Sequence, residues 1–198
     1  MDLLYEQKDR KEEIYRLYQE VFEDPEEFAA YYFREIYPRN QILIAQEKKI
    51  LGMIHLNPYK IHMGSKEQIL HYIVAVAVRQ EYRRRGIMAQ MLKRCLRDMA
   101  ERKEPFTYLM PADRAYYEPF GFVFVMNWMT EELWGREEAS CGFVQPALEE
   151  EYRGISEFLS KYVQTSGIYT VPDLDYIRRI AKESQSSSGG LMTWKKEG

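Results

Sequence analysis

Apolar residues near the amino terminus recur with the spacing of a helix. Ile14, Leu17, Tyr18, Val21 and Phe22 fall at i, i+3, i+4, i+7 and i+8, which places all five on one helical face. Most of the residues between them are charged or polar. The pattern predicts an amphipathic helix whose apolar face packs against the rest of the protein.

A second helix and a β-hairpin are expected next. The segment EEFAAYYFREIY follows Pro25 and precedes Pro38, and proline stops a helix because it lacks the N–H group that the helix needs. The segments QILIAQE and ILGMIHLNPYKIHM are separated by a polar Lys-Lys turn. They predict a hairpin whose second arm continues as a long strand.

The apolar run that follows has no polar face in its last part. ILHYIVAVAV comes after the turn GSKEQ, and its residues 73–78 are all apolar. A strand that is buried on both faces has such a continuous run. We therefore expect residues 73–78 at the centre of a sheet.

Helical spacing returns after Gly86 and then gives way to shorter elements. The apolar stripe of this helix consists of Met88, Met91, Leu92, Cys95, Leu96 and Met99. The segments PFTYLM, DRAYYEPF and GFVFVMNWM predict a short strand, a short helix and a further strand. This mixture of helices and strands, which runs to about Trp134, indicates a layered domain of the α/β (α+β) class.

The carboxyl-terminal quarter resembles the opening of the chain. After the polar segment GREEASCG, a helical stripe is formed by Ile155, Phe158, Leu159, Tyr162 and Val163. DLDYIRRIAKES predicts another helix, and LMTWKKEG follows SSSGG. Two helices followed by a strand also open the chain, so we expect a second copy. The expected boundaries are 1–134 for the first unit, 135–146 for a linker and 147–198 for the start of a second unit.

Composition narrows the class of protein. The chain has 198 residues, 45% of them hydrophobic, but its longest apolar run has six residues, far fewer than the roughly 20 that span a bilayer. The first residues, MDLLYEQKDRKEE, are charged and do not resemble a signal peptide. We expect a cytoplasmic protein that has no membrane partner. Its two cysteines suit a reducing compartment.

Net charge argues against a nucleic-acid partner. The 28 basic and 31 acidic residues leave a formal charge of −3, whereas a nucleic-acid binder usually has a broad basic face. The three arginines of EYRRRG, residues 81–86, are therefore a local feature. We expect their partner to be a small anion.

The surroundings of these arginines suggest where the anion binds. A strand leads into RQEYRRRG and a helix begins at or just after Gly86, so the first unpaired N–H groups of the helix face the loop. These donors and the positive helix end favour a phosphate or pyrophosphate, and glycine allows it to approach the backbone closely. The segment matches neither the P-loop nor the dinucleotide-binding fingerprint.

Two segments together resemble the GNAT N-acetyltransferases. VAVAVRQEYRRRGIMAQML is similar to their acetyl-CoA-binding segment, whose signature [QR]xxGx[GA] is filled by residues 83–88 except at the last position. RRRG followed by two larger apolar residues is similar to the Eis-type branch. PADRAYYEPFGF, residues 111–122, resembles the segment of that branch that holds its catalytic tyrosine. The resemblance implies a GNAT-like mixed central sheet flanked by helices and tandem units of this fold.

The resemblance also implies a set of cofactor-binding residues for acetyl-CoA. Those whose backbone would pair with the pantetheine arm are Val76, Ala77 and Val78. Those that would surround the pyrophosphate are Arg84, Arg85, Gly86, Ile87, Met88 and Ala89. Those that would line the cofactor where the next strand diverges are Ala112 and Asp113. Acetyl-CoA is thus the expected co-substrate.

The chemistry implied is direct attack of a primary amine, from a small molecule or a peptide, on the thioester in a ternary complex. A backbone N–H would stabilise the oxyanion, and Tyr117 would protonate the departing thiolate. From the residues alone, Tyr117 could equally be one more aromatic beside Tyr116, Phe120 and Phe122. The alternative functions are an acyl-CoA-binding module with little or no turnover and a phosphate- or RNA-binding protein.

Several features leave more than one interpretation open. Eis-type proteins have tandem GNAT units followed by a further domain, so the resemblance implies that residues 147–198 are a truncated second unit. In that branch a carboxylate at the far end of the longer chain acts as a base, and nothing in this sequence matches it. Homo-oligomer formation stays open. His71 could act as a base or have a structural hydrogen bond. The acidic segment FEDPEEF could attract a cationic amine or start a helix. The three histidines and the absence of CxxC or HExxH predict no metal site.

Overall fold

The main sheet combines strands from distant parts of the chain. A computed structural model describes residues 1–126 and 142–196. Strands β1 (Asp2–Tyr5), β2 (Gln41–Gln46), β3 (Ile50–Met63) and β4 (Lys66–Val78) lie in that order, each antiparallel to the next. A short strand, β6 (Ile168–Thr170), joins the far end of β3. The predicted hairpin and long strand are thus confirmed, while β1 lies in a charged segment that had no strand signal.

Two helical layers cover the sheet. The helices are α1 (Lys11–Val21), α2 (Glu26–Tyr31), α3 (Ile87–Glu101), α4 (Tyr152–Val163) and α5 (Leu174–Ser186). The helix α2 continues through a π-helical turn and a 3-10 turn as far as Arg39. Acidic residues occupy its first turn, where they suit the positive helix end.

Each layer buries the apolar stripe that its sequence predicts. On one face of the sheet, α1 contributes the fully buried Ile14 and Leu17. On the other face, α3 contributes Met91, Leu92 and Cys95, all fully buried. At about 25 cal/mol per Å² of apolar surface, each such side chain contributes about 1.5–3 kcal/mol. The helical periodicity therefore identified the core correctly on both faces.

The apolar strand β4 lies at the edge of the described sheet, not at its centre as expected. Its only link beyond β3 is a parallel bridge between Tyr72 and Tyr108, within residues 1–126 and 142–196. Both faces of β4 are covered by helices, since Ala77 packs in the α1 layer and Val76 and Val78 in the α3 layer. Coverage on both faces explains the continuous apolar run without a central position.

The segment after α3 is less regular than its sequence suggests. PFTYLM forms the single bridge at Tyr108, and DRAYYEPF forms two short 3-10 turns, Arg114–Tyr116 and Glu118–Phe120. Residues 122–126 have no regular structure, and the rest of the strand predicted for GFVFVMNWM lies outside the described residues. The parallel bridge makes the sheet mixed, so the expected layered α/β class with a GNAT-like mixed sheet is confirmed.

The carboxyl-terminal part forms a small layer of its own and also joins the first. Strand β5 (Gly142–Pro146) pairs with β7 (Met192–Lys196) in an antiparallel ribbon. The order of this part is β5, α4, β6, α5, β7, which differs from the order β1, α1, α2, β2 by the short strand β6 between the helices. In both parts the first and last strands are antiparallel neighbours. Tyr152, Ile177 and Ala181 form the centre of this part. It contacts the first layer through β6 on β3 and through α5 on α2.

Candidate functional site

A β-bulge interrupts β4 just beyond its bridge to Tyr108. Met53 of β3 lies opposite Ala77, and His55 lies opposite Val74, so three steps along β4 match two steps along β3. The extra residue is accommodated at Ala75, which has a φ of +49°. A bulge of this kind bends the strand and changes the direction of its backbone groups.

The bulge turns backbone groups towards the open edge of the strand. The N–H of Ile73 donates to the carbonyl of Tyr108 at 3.0 Å, away from β3, while the N–H of Arg79 donates at 2.9 Å towards β3. In a regular strand these two groups, six residues apart, would point the same way. With the extra residue between them, the N–H and C=O groups of Val76 and Val78 point away from β3.

This edge of β4 is accessible to an extended ligand. On the edge of β4 that faces away from β3, no strand within residues 1–126 and 142–196 pairs with β4 beyond Tyr72. The side chain of Arg83 donates from Nε to the Val78 carbonyl at 3.0 Å, which agrees with the outward direction of that carbonyl. The backbone N–H groups of Val76 and Val78 therefore face a groove that could hold an amide-containing chain.

The arginine loop presents the start of α3 beside this groove. Gly86 caps the helix with a φ of +75°, and α3 begins at Ile87 as the sequence predicts. A Cβ added at Gly86 would find no atom within 4 Å, so the space beside this glycine at the helix start is open. The 15-residue helix directs its positive end into that space.

The three consecutive arginines differ in their surroundings. Arg83 donates a hydrogen bond to the Val78 carbonyl. The Arg85 guanidinium lies 5.1 Å from the ring centroid of Tyr82. Arg84 is exposed and has a φ of +61°. Arg84 and Arg85 thus lie beside the helix start, where an anion would meet them. Ile87 is buried, and Met88 and Ala89 are half-buried.

Tyr117 lies half-buried among aromatic residues that pack against the α3 layer. Its ring meets Phe122 edge-to-face, with 5.8 Å between centroids. Burial raises the pKa of Tyr117, and the neighbouring Tyr72 adds to the rise. The hydroxyl is therefore protonated at neutral pH, and no residue in the described part of the chain hydrogen-bonds it. It can act as a proton or hydrogen-bond donor.

Ala112 and Asp113 lie on the exposed loop that leads to Tyr117. The Asp113 carboxylate accepts a hydrogen bond from the N–H of Ala115 at 2.9 Å and so caps the 3-10 turn before Tyr117. This contact gives Asp113 a local structural role in positioning the tyrosine loop.

A sequence model of a protein family identifies the family of this chain. The model, described as an acetyltransferase (GNAT) domain, matches residues 5–125, which include the β4 edge, the arginine loop, α3 and Tyr117. The chain belongs to the GNAT acetyltransferase family. Among curated proteins, none matches the sequence significantly.

Solved structures share the GNAT fold at low sequence identity. A protein of unknown function from Enterococcus faecalis, described as a probable N-acyltransferase, superposes with a TM-score of 0.75 at 16% identity, over 99% of this chain and 52% of its own. A predicted acetyltransferase with acetyl-CoA from Clostridium acetobutylicum has a TM-score of 0.56 at 16% identity, over 66% and 95% of the two chains. A GNAT family acetyltransferase from Brucella melitensis, in complex with acetyl-CoA, has a TM-score of 0.50 at 20% identity, over 62% and 82%.

These likenesses differ in how much of this GNAT chain they cover. The Clostridium and Brucella proteins cover about two thirds of it, whereas the Enterococcus protein covers nearly all of it. The chain spans about half the length of the Enterococcus protein. The likeness to the Enterococcus protein is therefore one of fold over nearly the whole of this chain.

His71 of the GNAT sheet has a structural partner and is not free to act as a base. Its Nδ1 lies 2.9 Å from Glu104, and its backbone N–H donates to the same carboxylate at 3.1 Å. His55 is fully buried, which lowers its pKa to about 3, and its Nδ1 lies 2.9 Å from the Tyr32 hydroxyl. Of the two interpretations of His71, the structural hydrogen bond is the one observed.

Glu104 also holds the segment that leads into the Tyr108 bridge. Burial alone would raise the pKa of Glu104, but hydrogen bonds from His71 and Arg102 outweigh it and hold the pKa below its ordinary value. The side chain is only 3% exposed. The Thr107 hydroxyl donates to the His71 carbonyl at 2.7 Å. These contacts attach residues 104–107 to β4 and so set where the two strands diverge.

We expect Glu104→Gln to lower the free energy of unfolding by about 2 kcal/mol at pH 7, because hydrogen bonds to a buried charge are lost. The folded pKa of this carboxylate lies below its ordinary value of 4.5, so its contribution is present above that pH and disappears as the pH falls below it. Urea unfolding at pH 7 and pH 3 measures both. The exposed Glu101→Gln is the control, and an equal loss at both pH values would contradict the role.

The structure also shows a cleft that sequence patterns did not indicate. Its aromatic residues come from five separate segments of the chain, and they include Tyr59, Tyr72 and Tyr108. The chain has 16 tyrosines and no spacing distinguishes these three. The sequence could not predict the cleft, because β3, β4 and α5 are brought together only in the folded protein.

Residues 1–126 and 142–196 hold no cluster of three or more His, Cys, Asp or Glu side chains arranged as metal ligands. No helix in the same ranges is long and apolar enough to cross a bilayer.

Proposed function

We propose that the protein is an acetyl-CoA-dependent N-acetyltransferase that acts on a primary amine of a small molecule or peptide. The observation that carries the proposal is the outward-turned edge of β4 beside the start of α3. One end of this site presents strand donors and acceptors, and the other presents the N–H groups of a helix. A ligand with an amide-containing arm and a pyrophosphate has both complementary parts.

These two parts support one position for the cofactor. The pantetheine amides pair with the outward backbone groups of Val76 and Val78, with the buried Ala77 between them. The pyrophosphate lies at the N–H groups of residues 86–89, where the helix end, Arg84 and Arg85 favour negative charge. Ala112 and Asp113 form the opposite edge of the site, where the segment after Tyr108 diverges from β4. No metal is required for this arrangement.

The reaction is a direct transfer in a ternary complex. The neutral amine attacks the thioester carbonyl, and an outward backbone N–H of β4 stabilises the oxyanion. The Tyr117 hydroxyl is protonated at neutral pH, as a tyrosine with an ordinary or a raised pKa is, and it donates towards the departing sulfur. The amine loses one proton and the thiolate gains one, so an acetamide and free coenzyme A are the products.

We assign the chain within the family to the Eis-type tandem branch. The RRRG segment and the Tyr-x-x-Phe-Gly-Phe segment support this assignment. The repeated order of two helices between antiparallel strands supports units at 1–134 and 147–198, joined by a linker at 135–146. Strand β6, which pairs with β3, gives the second unit a direct contact with the first.

A module that binds acyl-CoA with little turnover is the second candidate. The observation that favours it is the state of the sheet histidines, since His71 is bonded to Glu104 and His55 is buried and neutral. Neither is free to deprotonate an ammonium. In this case the groove would bind the cofactor and no amine would be acetylated.

Calorimetric titration with acetyl-CoA, combined with a coenzyme A release assay over a panel of amines, separates these functions. We expect binding in the micromolar range and release of coenzyme A that depends on an amine. Binding without release from any amine would support the second candidate. No binding to the intact chain would contradict both.

A further inference from the structure

A cleft of about 620 Å³ lies where the first unit meets helix α5. Its size falls within the range of small-molecule sites. The residues that form its walls include Phe28, Tyr59, Tyr72, Tyr108, Tyr176 and Glu183. The first four belong to the first unit, and the last two belong to α5. The second unit thus completes a cavity that the first unit leaves open.

The cleft adjoins the edge of β4 where the acetyl group is placed. Tyr72 is both a cleft wall and the residue that bridges to Tyr108. The bulge at Ala75 is three residues further along β4, about 10 Å at the rise of a strand. The N–H of Met110 bonds the Tyr72 hydroxyl, and Tyr72 influences the pKa of Tyr117. A ligand in the cleft could therefore extend from α5 to the reacting centre.

The cleft suits a positively charged group. Glu183 is the only charged residue among the cleft walls that the structure describes, and its side chain is 43% exposed. Burial raises the pKa of Tyr72 and of Tyr176, and the negative charge of Glu183 adds to both rises. Aromatic ring faces attract an ammonium group. The carboxylate and the rings together favour a cation.

Arg179 is the nearest competing cation. Its guanidinium lies 4.2 Å from the ring centroid of Tyr59, and its Nε lies 3.9 Å from the Glu183 carboxylate. That separation is too long for a hydrogen bond, so the carboxylate can still accept bonds from a ligand. Arg179 does not line the cleft.

We infer that this cleft binds the acceptor and that the acceptor is an aliphatic diamine. One amine, in its neutral form, reaches the thioester beside Val76 and becomes the acetamide. The other remains an ammonium, which Glu183 and the rings of Tyr72 and Tyr176 hold. This inference rests on the proposed transferase function. It makes Glu183 a residue that determines specificity, supplied by the second unit.

The test compares hexylamine with hexane-1,6-diamine, which differ in the second amine. We expect the wild-type chain to prefer the diamine about tenfold in kcat/KM, the size of one partly exposed ion pair with a cation–π contact. Glu183→Gln should abolish the preference, and the loss should appear as a raised KM for the diamine and not as a lowered kcat. The exposed Glu157→Gln on α4 is the matched control and should keep the preference.

Direct binding distinguishes failure of this inference from failure of the transferase function. Calorimetry with hexane-1,6-diamine should show binding to the wild-type chain that is weakened in Glu183→Gln. If the diamine binds in this way but is not acetylated, the cleft assignment stands and the transferase function is wrong. Two results would contradict the inference: an equal kcat/KM for hexylamine and the diamine, or a Glu183→Gln variant that keeps the preference. In either case Glu183 would serve only to pair with Arg179.

Discussion

Replacement of Tyr117 by phenylalanine should lower kcat by about 10²–10⁴-fold, the usual contribution of a positioned general acid. The ring contact with Phe122 does not involve the hydroxyl, so phenylalanine keeps the packing. The hydroxyl has no hydrogen-bond partner in the described part of the chain, so its removal leaves no buried group unpaired. Binding of acetyl-CoA, measured by calorimetry, should be unchanged, because the hydroxyl acts on sulfur only as the bond breaks.

Tyr116 provides a control one residue away. It is 58% exposed and has no place in the proposed site, so Tyr116→Phe should keep the wild-type kcat. Steady-state kinetics with saturating acetyl-CoA and one amine compares the three proteins. A kcat for Tyr117→Phe within a few-fold of wild type would show that another group protonates the thiolate. A loss of cofactor binding in that variant would show a structural role instead.

The elements that periodicity predicts are those that pack by one face. The stripes of α1 and α3 appear in the structure with nearly the expected bounds, and so does the β2–β3 hairpin, which the polar Lys-Lys turn indicated. Strand β1 was missed because only Leu3, Leu4 and Tyr5 are partly buried and its neighbours are charged. The segment at 105–110 reads as a strand, but a single bridge at Tyr108 holds it.

Residues 73–78 show why a pattern can give the right burial and the wrong position. Their continuous apolar run suggests a central strand, whereas the strand borders an open groove. Two helical layers cover its faces, and the bulge at Ala75 turns its last backbone groups outward. A bulge depends on the register with β3, which is a property of the folded sheet and not of the local sequence.

Only part of the candidate site could be predicted from the sequence. The arginine loop and the start of α3 are local, so glycine, charge and helical period were enough to locate them. The cleft with Glu183 draws on α2, β3, β4 and α5, and no local signal links these segments. For His71 the sequence allowed both a catalytic base and a structural hydrogen bond, with the second preferred, and the contact with Glu104 agrees with the second.

Replacement of Gly86 by glutamate should weaken acetyl-CoA binding about 100-fold. A carboxylate placed about 5 Å from a pyrophosphate charge costs about 3 kcal/mol at the effective dielectric of a protein surface. The open space at Gly86 admits the side chain without a clash, so it occupies the volume in front of the helix N–H groups. The variant should therefore stay folded and lose the ligand.

Two further variants separate charge from backbone strain. Gly86→Gln has the same size and the same unfavourable φ of +75° without the charge, so the difference between the two Gly86 variants measures the electrostatic part. Gly64→Glu carries the charge at a second glycine with a φ of +61° and open space, in the β3–β4 turn, and should bind acetyl-CoA as the wild type does.

Calorimetry at two salt concentrations completes the comparison, because added salt should reduce the repulsion in Gly86→Glu and leave Gly86→Gln nearly unchanged. Equal affinity of Gly86→Glu and Gly64→Glu would place the pyrophosphate away from α3, and the outward edge of β4 would then have to bind the cofactor without the helix end.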